Sequence, residues 1–294
     1  MSLTYKKNRF QEFSLRRTML DRDDHLILNR SLCNGCTLCF DVCPKEAIVI
    51  KDAILKDGRV IRPSIVEIDE SVCIFCGICS VLCPLNAIKT WVNGVKNAMF
   101  VASEAFPDLI KLIEVDCKRC QPDCALKCVD SCPRDAIKVD VDKRNGKVQS
   151  ILDVHVDLSQ CMFCKACEHI CPYNAITVVK PFEGLINLEH NKCPIDCRIC
   201  VDICPTDALQ ALDSGEIKMD AKLCIACKAC QILCPEEAIT VKLTQVRHTP
   251  IQSSTWIHIL QRFASITLAV KELASKAAEK RKSRIQTLPV LEEL

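Results

Sequence analysis

Much of what a chain of this length uses to build a core and an active site is scarce here. Only 7 of 294 residues are glycine and aromatics make up 4 %, so the apolar interior must come largely from Ile, Val and Leu. No P-loop, dinucleotide fingerprint or nucleophile–His–carboxylate set is present, which removes the common phosphate-binding and covalent-catalysis classes. No uncharged run approaches the roughly 18 apolar residues of a membrane span. Residues 1–24 hold Lys6, Lys7, Arg9, Arg16, Arg17 and Arg22 without an apolar stretch, so no signal peptide is expected. Cysteine, by contrast, is abundant, with 25 residues. At that density a small secreted chain would be disulfide-stapled, but with no secretion signal the expectation is a reducing cytoplasm with thiolates held on metal. The formal charge of +2 counts no cysteine, so the lysines are first of all counter-charge for thiolates, and no nucleic-acid partner is expected.

The cysteines repeat. Six blocks end alike, in Cys43-Pro-Lys-Glu-Ala-Ile48, Cys83-Pro-Leu-Asn-Ala-Ile88, Cys132-Pro-Arg-Asp-Ala-Ile137, Cys171-Pro-Tyr-Asn-Ala-Ile176, Cys204-Pro-Thr-Asp-Ala-Leu209 and Cys234-Pro-Glu-Glu-Ala-Ile239. Proline stops a short helix, and the Ala-Ile/Leu pair opens an apolar strand. A strand-like run also precedes each block, near 25–28, 64–68, 109–115, 151–156, 185–188 and 216–219. The unit therefore reads strand, cysteine loop, short helix, proline turn, strand. Hairpin signals at Lys56-Asp-Gly58, Asn145-Gly146 and Asp213-Ser-Gly215 join blocks one to two, three to four and five to six. No comparable turn is read in 91–107 or 178–184.

The reading is an α+β chain of three tandem modules with a C-terminal α-helix. It comprises an N-terminal arm (1–24), module one (25–92), a linker (93–108), module two (109–180), module three (181–243) and a docking helix with its tail (244–294). In that last segment Trp256, Ile259, Phe263, Ile266, Val270, Leu273 and Ala277 form a heptad-like seam, which fits a helix packed back on a module as well as one docking another subunit.

Three cysteines at every third position, then a fourth before proline, are the spacing of bacterial [4Fe–4S] ligation, in which the fourth cysteine serves the other cluster of a pair. Module one then offers Cys33, Cys36 and Cys39 with Cys83, and Cys73, Cys76 and Cys79 with Cys43. Module three offers Cys193, Cys197 and Cys200 with Cys234, and Cys224, Cys227 and Cys230 with Cys204. Module two has a surplus cysteine, and two assignments are open: Cys117, Cys120 and Cys128 with Cys124 free, or Cys120, Cys124 and Cys128 with Cys117 spare. Register favours the second. An acidic residue stands four before the first ligand at Asp69, Asp157, Glu189 and Asp220, and Asp116 stands so relative to Cys120. The sets become Cys120, Cys124, Cys128 with Cys171, and Cys161, Cys164, Cys167 with Cys132. Zinc would use two separated cysteine pairs, and a [3Fe–4S] cluster a missing second cysteine; neither pattern occurs. His169 and Tyr173 are read as surroundings rather than ligands. Phe75 and Phe163 are expected to shield sulfur. Six clusters are expected, and without them the chain should be largely unfolded.

With these motifs placed, each module resembles an eight-iron bacterial ferredoxin, and residues 25–243 resemble a polyferredoxin. Glu104–Lys111 with the following Cys117–Ile137 block is most similar to the polyferredoxin subunit of archaeal formylmethanofuran dehydrogenase. That resemblance implies an electron-transfer subunit without a catalytic site of its own, partnered by molybdenum or tungsten enzyme subunits of one-carbon metabolism and by other electron carriers. A hydrogenase or heterodisulfide reductase partner, or a redox sensor, are the alternatives. The linear module order suggests that electrons enter at one terminal module and leave at the other. Because the fourth cysteine serves its neighbour, Cys234→Ser should first remove iron from the centre of Cys193, Cys197 and Cys200, read as loss of one EPR signal before that of Cys224, Cys227 and Cys230.

Overall fold

The computed structural model describes residues 3–9, 11–96, 107–144 and 147–250. The expected C-terminal helix, most of the 93–108 linker and the Asn145-Gly146 turn lie outside them. All described residues fall within one compact unit.

The chain first lays down β1 (Leu3–Asn8), β2 (Glu12–Thr18) and β3 (Asp23–Asn29). After a cysteine loop come α1 (Leu38–Asp41), β4 (Ile48–Lys51), β5 (Ile54–Lys56), β6 (Arg59–Arg62) and β7 (Ile65–Ile68), and a second loop leads to α2 (Ile78–Val81), β8 (Ile88–Val92) and β9 (Val95–Lys96). The second group is β10 (Leu112–Val115), α3 (Lys127–Asp130), β11 (Ile137–Arg144), β12 (Lys147–Val156), α4 (Ala166–Ile170) and β13 (Ile176–Val179). The third is β14 (Phe182–Leu188), α5 (Ile199–Ile203), β15 (Leu209–Ala211), β16 (Ile217–Met219), α6 (Ala229–Leu233) and β17 (Ile239–Val246).

One pairing rule runs through all three groups. The strand before the first loop pairs antiparallel with the strand after the second: β3 with β8, β10 with β13 and β14 with β17. The strand after the first loop pairs with the strand before the second: β4 with β7, β11 with β12 and β15 with β16. Each group therefore has a strand pair at either end and two loop–helix elements between them, and the first group adds the β5–β6 hairpin. Period-two burial points Val66 and Ile68, and Ile176 and Val178, at the loops from opposite ends.

The mixed charge of residues 1–24 leaves open an arm that orders on a partner or one that lies along the first module. In the structure β1 and β2 lie along it, extending the first sheet in the order β1-β2-β3-β8-β9. Phe13 and Leu15 are 0 % exposed and alternate with solvent-facing residues, meeting Leu26 and Leu28 of β3. Two apolar side chains in a seven-residue strand are too short a period for sequence reading to resolve against six basic neighbours. Behind them Asp24 is buried and paired with Arg17 and Arg22. Arg17 reaches further, lying 4.5 Å from the Phe75 ring centroid and donating to the Ile74 carbonyl at 3.3 Å. The hairpin thus roofs the second cysteine loop.

The segment after Trp91 departs from the sequence reading. Asn93 and Gly94 both adopt positive φ, 51° and 78°, and turn β8 into β9. This is the geometry that Asn-Gly favours; the sequence reading passed over it because β9 has only two residues.

Truncating Phe13 to Ala should lower the thermal stability of the loaded protein by about 3–5 kcal/mol. Tyr5→Ala, on the exposed face of the same hairpin, should change it by no more than about 0.5 kcal/mol. Bleaching of the iron–sulfur absorbance on heating measures both.

Candidate metal centres

Each cysteine loop is built by the same local devices. Four residues before the first cysteine of each loop, a backbone N–H donates to the alanine carbonyl at the end of the partner block: Asn29 to Ala87, Asp69 to Ala47, Asp116 to Ala175, Asp157 to Ala136, Glu189 to Ala238 and Asp220 to Ala208. At Asn29, Asp69, Asp116, Asp157 and Asp220 the side-chain oxygen also accepts the N–H two residues on. This local turn is why short acidic or amide residues recur there. Asp116 takes its place in the series four residues ahead of Cys120.

Within the regular loops the second residue after the first cysteine has positive φ: Gly35, Phe75, Phe163 and Ala226. So does the residue after the second cysteine: Thr37, Gly77, Lys165 and Lys228. The left-handed turn aims main-chain N–H groups at sulfur, as where Phe163 and Ala226 donate to Cys161 and Cys224 at 3.4 Å. At the far end of each block the residue before the alanine is again left-handed, at Glu46, Asn86, Asp135, Asn174, Asp207 and Glu237. That turn lets the alanine N–H reach back to the last cysteine at 3.2–3.3 Å in five blocks. In the fifth block Cys204 meets the Thr206 hydroxyl at 3.7 Å instead.

The sulfurs gather in six sets, each drawing three cysteines from one loop and one from the end of its partner block. Set 1 is Cys33, Cys36, Cys39 with Cys83. Set 2 is Cys73, Cys76, Cys79 with Cys43. Set 3 is Cys120, Cys124, Cys128 with Cys171. Set 4 is Cys161, Cys164, Cys167 with Cys132. Set 5 is Cys193, Cys197, Cys200 with Cys234, and set 6 is Cys224, Cys227, Cys230 with Cys204.

Burial, and then the crowding of sulfurs, pushes Cys33 and Cys161 up from the ordinary 9.0 to about 11, and Cys167 and Cys200 to about 12. Thiols so disposed are costly to ionise unless a cation receives the charge. Sets 4, 2 and 3 each line a cavity walled mostly by apolar side chains, Phe163 and Phe75 among them. A zinc ion would draw four sulfurs to within about 2.3 Å of one point. Among the described residues no group of His, Cys, Asp or Glu is placed to hold a single ion. Four buried or half-buried thiols around an apolar cavity, with N–H groups on sulfur, fit a [4Fe–4S] cluster.

Cys117 sits apart from the third cavity, which is lined by Cys120, Cys124, Cys128 and Cys171. Its Sγ points to Asp153 Oδ1 at 3.7 Å, although Cys120 is also close by. The enlarged loop around Cys124 is clamped by the Tyr173 hydroxyl, which donates to Asp123 at 2.6 Å. His169 faces Asp220 at 3.8 Å rather than a sulfur set.

Residues 32–87 and 115–175 match a 4Fe–4S dicluster domain family, residues 160–209 a second family of that description, and residues 217–240 a 4Fe–4S binding domain. The chain therefore carries multiple 4Fe–4S dicluster ferredoxin-type domains. The 160–209 match runs across the boundary between the second and third strand groups, because consecutive motifs alike in sequence need not be those that pair in space. An iron-sulfur protein of Rhodospirillum rubrum is 28 % identical over 106 residues, covering 30 % of this chain and 55 % of that protein. Formate hydrogenlyase subunit 2 of Escherichia coli (strain K12) is 27 % identical over 111 residues, covering 35 % and 54 %. The thiosulfate reductase electron transfer subunit of Salmonella typhi is 33 % identical over 117 residues, covering 37 % and 53 %. The matches to these curated relatives span about half of their length. A chain in the solved formate dehydrogenase–heterodisulfide reductase–formylmethanofuran dehydrogenase complex from Methanospirillum hungatei superposes with a TM-score of 0.73 at 28 % identity, covering 89 % of this chain and 91 % of that one. No helix among the described residues is long and apolar enough to cross a membrane.

Replacing Cys124 by Ser should remove about four irons per chain, and replacing Cys117 by Ser none. Iron counting on the two proteins decides the assignment, and loss of iron from Cys117→Ser alone reverses it.

Proposed function

We propose that this chain is an electron-transfer polyferredoxin holding six [4Fe–4S] clusters in three modules, at 25–92, 109–180 and 181–243. The observation that carries the reading is the gathering of sulfurs into six four-membered sets, each completed by the partner block. When bound, the clusters supply reversible one-electron reduction. The chain's own residues hold them by thiolate, shield them with Phe75 and Phe163, and set their potentials through the N–H groups on sulfur. A full set of four thiolates leaves no iron open to a substrate, so the reading assigns the catalytic step to a partner. Cys117 is assigned no cluster.

The partner proposed is a formylmethanofuran dehydrogenase assembly. The resemblance of the Glu104–Ile137 region supports this, as does the superposition on a chain of a complex that contains that enzyme. The same complex also contains heterodisulfide reductase, which supports service to that enzyme as the second reading.

Anaerobically purified protein should contain six times four, or about 24, irons per chain and as many sulfides. Redox titration should show six one-electron EPR-active centres. A tagged chain recovered from its native host should bring down formylmethanofuran dehydrogenase activity. Recovery of heterodisulfide reductase alone favours the second reading, and fewer than six centres overturns the cluster count.

A further inference from the structure

The six sets are not arranged in chain order. Asn34, between Cys33 and Cys36 of set 1, is buried and turned toward the third strand group. Its Nδ2 donates to Cys227 Sγ at 3.5 Å and to the Ile203 carbonyl at 3.4 Å. Cys36 faces Cys227 across the same contact. Asn34 Oδ1 is buried without a partner among the described residues, a cost that an apolar side chain would avoid. What the residue offers in return is an amide N–H on a sulfur of set 6.

Two cations, Arg134 half-buried and Lys180 buried, repeat the pattern. Arg134, in the block end that supplies Cys132 to set 4, donates to the Leu32 carbonyl at 2.8 Å and lies against Cys33 and Cys83 of set 1. Lys180, 6 % exposed, donates to the Cys224 carbonyl at 2.8 Å and to the Lys222 carbonyl, with Cys164 of set 4 on its other side. Sets 1, 4 and 6 are thus mutual neighbours, one from each strand group. Sets 2 and 5 adjoin sets 1 and 6 through Cys79 with Cys39 and Cys230 with Cys200, and set 3 adjoins set 4 across α3.

We infer that sets 1, 4 and 6 form a three-way electron junction, joined by Asn34, Arg134 and Lys180, through which an electron can pass between any two of the outer sets 2, 3 and 5. This rests on the six-cluster reading above and replaces the end-to-end path suggested by module order. In each transfer one reduced centre loses an electron and its neighbour gains it; no bond or proton changes, and partner redox subunits supply and remove the electron. An N–H on sulfur and a buried positive charge both favour the more negative, reduced state. Each of the three joining residues therefore raises the potential of the inner centres it touches.

Redox-titrated EPR of the full chain tests this. Asn34→Val should lower the potential of one centre, the one missing from Cys227→Ser protein. Lys180→Met and Arg134→Met should each lower two, with iron near 24 per chain in all three. Pulsed EPR should also find strong spin coupling between sets 1 and 6, and the same coupling after removal of the set 4 centre by Cys164→Ser; an end-to-end order predicts no such coupling in either protein. Full iron with potentials unchanged in Asn34→Val overturns the junction while leaving the six-cluster reading intact. Iron far below 24 in the unsubstituted chain overturns both. Should Cys164→Ser fail to fold, the potential shifts decide.

Discussion

Everything in this fold depends on one geometric shortfall: a loop of three closely spaced cysteines brings together three sulfurs, and its own fourth cysteine points elsewhere. The fourth sulfur must come from another block, and the antiparallel strand pairs deliver it. β3 with β8 and β4 with β7 close the first pair of loops from both ends, and the same two-ended closure recurs in the other groups. The backbone bond from the residue ahead of each loop to the partner block's alanine fixes the register of this exchange. Pairing and ligation are therefore one event, since strands that slipped by a residue would withdraw the fourth sulfur.

The same shortfall explains the chain's composition. With so little glycine, the left-handed turns fall mostly on residues such as Phe75, Phe163, Lys165 and Lys228, a conformation that costs energy for residues with a Cβ. The N–H groups turned onto sulfur offset that cost, because a sulfur bearing negative charge is a stronger acceptor than water can match inside an apolar pocket. Burial works in the same direction: it disfavours free thiolates and so leaves them dependent on metal.

Sequence reading was good where a signal repeats and poor where it occurs once. The loops, the strands on either side of them and the turn at Asp57-Gly58 follow from patterns present several times over. The acidic residue at position 116 was legible as a register mark because four other blocks carry its counterpart, and its physical basis is the turn that each of these short side chains, Glu189 apart, closes. The β1–β2 hairpin rests on two apolar residues among basic ones and had no such echo. Asn34, Arg134 and Lys180 were invisible for a different reason. Each looks like an ordinary surface residue in sequence, and becomes interior only when blocks from different groups meet. A periodic sequence reports how one repeat is made, and says little about how repeats are stacked.

The contact between Asn34 and Cys227 spans 193 positions, and the Arg59–Asp202 ion pair that ties β6 to α5 spans 143. A structure whose centre is closed by residues so far apart has a high contact order, and folding must meet the loop-closure cost before those contacts return anything. During synthesis the first strand group can pair its own strands long before the last block exists. Its inward face, where Asn34 sits, stays open to water until the sixth loop arrives. Assembly of this protein therefore runs group by group: each pair of sets can be completed as its own strand group emerges, while the contact at Asn34 waits for the sixth loop.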